Sequence, residues 1–379
     1  MTTTNQAQAA ASVKIESSAY DQWMNSIGIP VHRGYFVPDL RTIELGWWPE
    51  RGCDAAFIQL SGQEGVSENR VTEIAPAVTL PALEFAMDEA VYVLQGRGLT
   101  TVWSLDGSRH WGFEWTKHSM FLLPRHHRFQ LSNAHGTESV RLLHYNYLPL
   151  ICSLGPDPST MLHPAPGVFQ DDGDDLYSKA AEDPKVGPPG RRNVWSGNFF
   201  PDLLAWDRLI GGSAGQQTVT MHFKSPIRTH MSVFPKGAYW TAHRHGPGVA
   251  IVIPSGEGYA VMWKENEEKI VVPWHEGSLY VPPDRWFHQH FNVSTEPTRY
   301  LAFHLPVGMS TGWRELPGDR VAYAEEDPWI RQHYKEELGK RGLEFNMPEQ
   351  LFTDPNYKWE PAGGASRQLG AREPRHESP

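Results

Sequence analysis

His243 and His245, separated by one residue, and His288 further along are the residues in this chain whose types and spacing first suggest chemistry. On a β-strand, residues i and i+2 leave the same face, so a His-x-His pair presents two imidazoles side by side. Three neutral imidazoles suit Fe, Mn, Co, Ni, Cu or Zn and leave positions open for water, substrate or dioxygen. His288 can close such a triangle. His290 shares its strand face in the run Phe287-His288-Gln289-His290-Phe291-Asn292 and is a rival ligand, an acid/base group or a fourth ligand. A lone His-x-His is more often an ordinary core or surface feature than a site, so the surroundings decide.

Those surroundings read as strands. VYVL, TTVW, MFLL, VRLLHY, AIVI, YAVMW, IVVPW, SLYVP and RYLAFH are short β-branched or aromatic runs divided by turns rich in Gly, Pro or charge. Many short strands at regular spacing make a sandwich or barrel. The runs also recur in order. VYVLQGRGLTTVW (91–103) lies over IVIPSGEGYAVMW (251–263), matching Gly96 to Gly256, Gly98 to Gly258 and Trp103 to Trp263. Residues 113–133 lie over 272–292, matching Trp115 to Trp274, Pro124 to Pro283 and Asn133 to Asn292, and 138–146 lie over 296–304. Three collinear blocks predict a duplicated domain.

The predicted organisation is a disordered start (1–15), an N-terminal barrel (16–153), a linker rich in Pro, Gly and Asp (154–196), a C-terminal barrel (197–310), a helical extension (311–360) and a disordered tail (361–379). Helical signal is confined to the edges, chiefly EEDPWIRQHYKEELGKRG at 325–342, with a Pro near its start and a Gly at its end. In the N-terminal copy Leu83, Phe85 and Phe129 fall where the C-terminal copy has its three His, so the expected site is single. Glu89 survives there with no matching Glu in the other half, where Val249 or Ala250 stands.

A net charge of -10 argues against nucleic acid or an anionic membrane as partner. Cys53 and Cys152 give no metal spacing and no disulfide scaffold. The opening MTTTNQAQAAAS is no signal peptide and no apolar run approaches spanning length, so a cytoplasmic location is expected.

The C-terminal motifs resemble the cupin superfamily. Gly237, five residues, His243-Arg244-His245 and Gly256 follow its first motif. Gly277, five residues, Pro283-Asp284-Arg285, His288 and Asn292 follow its second. Arg285 stands where the family has a second Gly, and the first motif lacks its Glu. The spacing to Asn292 favours His288 over His290 as third ligand. The resemblance, over roughly 80–150 and 220–305, implies an all-β fold of two tandem cupin barrels (double-stranded β-helix, jelly-roll) with a few peripheral helices, the first without metal.

A three-His set without Glu resembles the gentisate, salicylate and hydroxynaphthoate ring-cleaving dioxygenases, although those commonly keep their metal in the N-terminal barrel. What this implies is an Fe(II) enzyme that binds an aromatic hydroxy acid and dioxygen, works as a homo-oligomer and tolerates Mn, Co, Ni, Cu or Zn as alternatives. His290 and Gln289 are the expected catalytic residues. Arg228, His230, Trp240, Arg285, Tyr259 and Trp263 are the expected substrate contacts, Arg because its fork matches a carboxylate. A metal-dependent lyase, decarboxylase or isomerase, oxidative cleavage of a non-aromatic dicarbonyl, and a non-catalytic small-molecule binder are the alternatives.

Overall fold

The computed structural model describes residues 18–63, 65–154, 158–163, 176–178, 180–182, 193–205, 217–223, 225, 227–234, 236–304, 318–354 and 357. The expected disordered ends and most of the expected linker fall outside these residues. The fold class is the expected one: all-β, in two tandem jelly-roll units with few helices. Among the described residues no helix is long and apolar enough to cross a membrane.

The duplication is visible strand by strand. In the first unit one sheet runs Cys53–Leu60, Glu68–Ile74, Val140–Asn146, Glu89–Gln95, Met120–Leu123; in the second, Gln217–His222, Arg228–Phe234, Thr298–His304, Ala250–Ser255, Leu279–Tyr280 take the same order. The facing sheets match too. Arg97–Trp103 lies between His110–Thr116 and Arg128–Asn133, as Glu257–Trp263 lies between Ile270–His275 and Phe287–Asn292.

The repeated residues are those this frame needs. At Gly98 and Gly258 a Cβ would come within 2.3 Å of the Trp115 and Trp274 rings, far inside van der Waals contact, so each Trp of the repeat lies across a bare backbone. Asn133 and Asn292 each donate to carbonyls of the adjacent strand and turn: Ile74 and Glu138 in one unit, Phe234 and Glu296 in the other.

Each unit also lends an arm to the other. Phe36–Val37 pairs with Leu279–Tyr280 of the second sheet, and Phe199–Phe200 pairs with Met120–Phe121 of the first. Pro38-Asp39-Leu40 and Pro201-Asp202-Leu203 follow these strands. The Ser278 and Ser119 hydroxyls donate to the Pro38 and Pro201 carbonyls, and the Leu40 and Leu203 amides donate to the Gly277 and His118 carbonyls. Asn193–Ser196, inside the span expected to be linker, runs parallel to Gln217–His222, as Val31–Gly34 does to Cys53–Leu60. Leu279, Val281, Leu301 and Phe303 join the first unit's core, so one continuous apolar interface holds the halves together.

The C-terminal helix spans Pro328–Gly339, with the Asp327 carboxylate capping its start by accepting from the Trp329 amide. Its buried residues Ile330, Tyr334 and Leu338 pack on Tyr259, Val261 and Phe291, the outer face of the second unit's three-stranded sheet.

Candidate metal centre

The second unit brings His243, His245 and His288 together. One nitrogen from each lies within 4.8 Å of the others, and the ring centroids of His243 and His245 are 4.3 and 4.6 Å from that of His288. His243 and His288 form an isolated antiparallel bridge and exchange both backbone hydrogen bonds, at 3.2 and 2.9 Å, which sets the two side chains directly opposite each other. His245 is tied in by its carbonyl, which accepts from the Arg285 amide at 2.9 Å.

Arg285 has φ +61, the left-handed conformation, at the place where the cupin motif it resembles has Gly. Its counterpart His126 has φ +62 and donates its amide to Phe85. Both units therefore keep the sharp turn without glycine, at a cost of about 1 kcal/mol each.

Hydrogen bonding prepares the imidazoles for a metal. His288 Nδ1 lies 3.1 Å from the Trp286 carbonyl, and His245 Nδ1 lies 2.7 Å from the Gly246 carbonyl. A carbonyl only accepts, so both rings carry hydrogen on Nδ1 and leave the Nε2 lone pair available. His288 Nε2 is buried with no hydrogen-bond partner. Burial first, then the neighbouring imidazoles, holds His243 and His288 well below the usual histidine range, and burial also lowers His245. The three residues thus fit a divalent metal: neutral nitrogen donors converge on one point, and one has nothing else to bind.

Val249 is the counterpart of Glu89 and lies with Ile251 and Ile253 in the apolar wall, so the donor set holds no carboxylate. Glu89 in the first unit is spoken for. It binds Arg70 and His144, and Arg70 also binds Glu68, all buried. Where the second unit has its imidazoles, Phe85 and Phe129 pack edge to face at 5.0 Å, with the Arg51 guanidinium over Phe85. An aromatic plug fills the position of the metal.

His290 points to the triad's side of its strand but is not one of the converging three. Its Nδ1 is 2.6 Å from the Tyr280 hydroxyl. With the phenol as donor, Nδ1 accepts and the imidazole hydrogen sits on Nε2. Burial pushes the His290 pKa down to about 3, which keeps the ring neutral.

Beyond His290 stand Tyr300, at 4.9 Å between ring centroids, then His230 and His304, whose nitrogens are 2.8 Å apart. Arg228 pairs with His304 in register and leaves the same strand face as His230. It is half-buried, and its Nε is buried without a partner. Trp240 packs on Phe234, which in turn touches His290.

Four expected site residues lie elsewhere. Gln289 leaves the opposite face of its strand from His288 and His290, and its amide donates to the Trp240 carbonyl and the Glu326 carboxylate at 3.1 and 3.0 Å. Tyr259 stacks on Phe291 at 4.6 Å under the C-terminal helix, and Trp263 stacks on Phe287 at 5.6 Å, also on the outer face. Arg285 is spent on Asp319, a carboxylate it shares with Arg244. The cause for the first three is common. This sheet is covered on both faces, so apolar alternation does not distinguish the inside of the barrel from the helix side.

Residues outside the expected set reach the site. The Arg244 amide donates to the Asp319 carbonyl and the Val321 amide to the Ala242 carbonyl, which adds a short segment beside the triad. That segment sets Arg320 opposite His243, and its positive charge helps depress both His243 and His245. The sequence around Arg320 carries no motif. Tyr280, Tyr300 and His304 were visible only as strand residues.

No family model and no curated protein matches this chain. Among solved structures it is similar to oxalate decarboxylase from Bacillus subtilis, with a TM-score of 0.46 and 13% identity over 92% of this chain and 98% of that one. A structure from work on the Mn(II) centres of the same enzyme gives 0.46 and 13% over 90% and 96%. One on a reaction-specificity switch in oxalate decarboxylase gives 0.46 and 12% over 83% and 87%.

Proposed function

We propose that the chain is a metal-dependent enzyme of the cupin superfamily that holds one divalent metal at His243, His245 and His288 and removes a carboxyl group from a small carboxylate substrate. The observation that carries this reading is the buried, unpartnered Nε2 of His288 at the centre of three converging imidazoles. When bound, the metal supplies Lewis-acid polarisation of a substrate oxygen.

The chain's own residues do the rest. The forked guanidinium of Arg228 takes the substrate carboxylate and orients the carbon–carbon bond to be broken. The apolar wall of Val249, Ile251 and Ile253 excludes water, which disfavours the carboxylate and favours loss of neutral carbon dioxide. The electron pair left on carbon takes the proton held at His290 Nε2 while the Tyr280 hydroxyl passes its proton to Nδ1; the ring stays neutral, and the negative charge rests on the Tyr280 oxygen until a proton from solvent replaces it.

A second reading, the Fe(II) ring-cleaving dioxygenase, is favoured by the donor set itself: three imidazoles with Val249 in place of a carboxylate. Oxygen separates the two. Protein loaded with Mn(II) or Fe(II) and given a panel of 2-oxo, 2-hydroxy and hydroxybenzoic acids is expected to release carbon dioxide under strict anaerobiosis. Turnover only with oxygen uptake would transfer the assignment to the dioxygenase, and binding without product in either atmosphere would refute both.

A further inference from the structure

Phe85 and Phe129 fill the first unit where the second has its imidazoles, yet one of the first unit's turns touches both segments that carry the second unit's ligands. That turn is Ser61–Gln63. The Gly62 carbonyl accepts from the Gly248 amide at 2.8 Å, three residues after His245. The backbone of Gly62 also lies flat against Val281 and Pro282, just ahead of the Arg285 turn and His288. A Cβ at Gly62 would sit 2.2 Å from the Val281 carbonyl oxygen and 2.5 Å from that of Pro282. The turn is braced from its own side: the Gln63 side chain accepts from the Leu60 amide and donates to the Ser67 carbonyl. From the first unit's sheet, the Tyr145 hydroxyl donates to the Gly248 carbonyl at 2.9 Å while its ring stacks on Phe303.

We infer that Gly62 is a positioning residue for the metal centre, and that the plugged first unit is the jig that sets His245 and His288 at binding distance. The three nearest atoms a Cβ would meet are all backbone, so no swing of a side chain relieves them and the two segments must separate. Gly62 carries no left-handed backbone requirement, so contact is its one constraint. Metal sites tolerate ligand displacements of about 0.2 Å, and relieving a 2.2 Å contact demands several times that.

The inference rests on the proposed metal site, and the test separates the two. Co(II) titration of full-length protein, followed by its visible ligand-field spectrum, reports affinity and geometry without any substrate. Wild type should bind one Co(II) per chain, abolished in His243→Ala; if it does not, the metal assignment itself falls. Gly62→Ala should weaken Co(II) binding about 10- to 100-fold, the range for groups that orient ligands, and shift the spectrum. Tyr145→Phe, which keeps the ring, should weaken binding about 2- to 10-fold. Leu131→Ala, a core truncation in the first unit away from this contact, is the control for lost stability. Should Gly62→Ala and Tyr145→Phe bind Co(II) as wild type does, or should Leu131→Ala at equal loss of melting temperature change affinity and spectrum as much, the positioning role is wrong.

Discussion

His288 and His290 differ by two residues and face the same way, and single alanine substitutions should separate them sharply. Structural zinc sites with four ligands bind with about 10–16 kcal/mol, so each ligand contributes about 2.5–4 kcal/mol, or roughly 10²- to 10³-fold in affinity. His288→Ala removes the nitrogen that the structure leaves buried and unpartnered, and the remaining two ligands cannot close a triangle. Its metal Kd should rise by about that factor. His290 spends Nδ1 on Tyr280 and stands outside the converging set. His290→Ala should change metal affinity by less than about tenfold while abolishing the proton transfer proposed for it. Competition of Zn(II) against a fluorescent chelator measures both variants, and metal analysis after dialysis checks occupancy. If His290→Ala loses its metal and His288→Ala keeps it, the ligand assignment is refuted.

Glu326 is held up at about 7 by burial, so its folded-state pKa exceeds its unfolded value near 4.5. The stability this contributes is full below pH 4.5 and is lost as pH rises through 7, on the order of 2 kcal/mol after allowing for partial exposure; Glu326→Gln should flatten the dependence of melting temperature on pH between 5 and 8. Removing Glu89 leaves Arg70 and His144 buried without it, so Glu89→Ala should cost about 3–5 kcal/mol in urea unfolding. Arg228→Met should raise KM for the carboxylate substrate about 10- to 100-fold with metal content unchanged, whereas Arg285→Gly, which takes away an ion pair rather than a substrate contact, should leave KM within about threefold.

Much of this molecule is readable from its residues because the frame of the barrel is backbone-limited. Gly98, Gly258, Asn133 and Asn292 hold positions that few other residues can fill, so they survive in both copies and expose the duplication. The three imidazoles converge as the His-x-His spacing suggested, although His243 and His245 are not on a strand: His243 makes an isolated bridge to His288, and His245 follows in irregular backbone. Gln289, Tyr259 and Trp263 lie on the outer face, which the sequence does not reveal, because a strand buried on both sides has no polar face to mark the outside; the C-terminal helix on that face lies some forty or more residues away in sequence. Arg320 was hidden for the opposite reason. It reaches His243 through backbone bridges of Asp319 and Val321, and a backbone hydrogen bond leaves no trace in side-chain type. The arms were present as the repeated Pro-Asp-Leu, a match too short to weigh without the strands before it.

The exchanged arms impose an order on synthesis. The strand Phe36–Val37 emerges early, but its partner Leu279–Tyr280 is translated long after, and the first unit's edge at Met120–Phe121 stays open until Phe199–Phe200 arrives. At about 5–20 residues per second, the nascent chain carries an unpaired edge and an unpaired arm for many seconds. An open edge is a template for the wrong partner, and on a polysome the nearest wrong partner is a neighbouring copy with the same arm displayed. Crowded, rapid expression should therefore favour arm exchange between chains, and slower translation should favour closure within one.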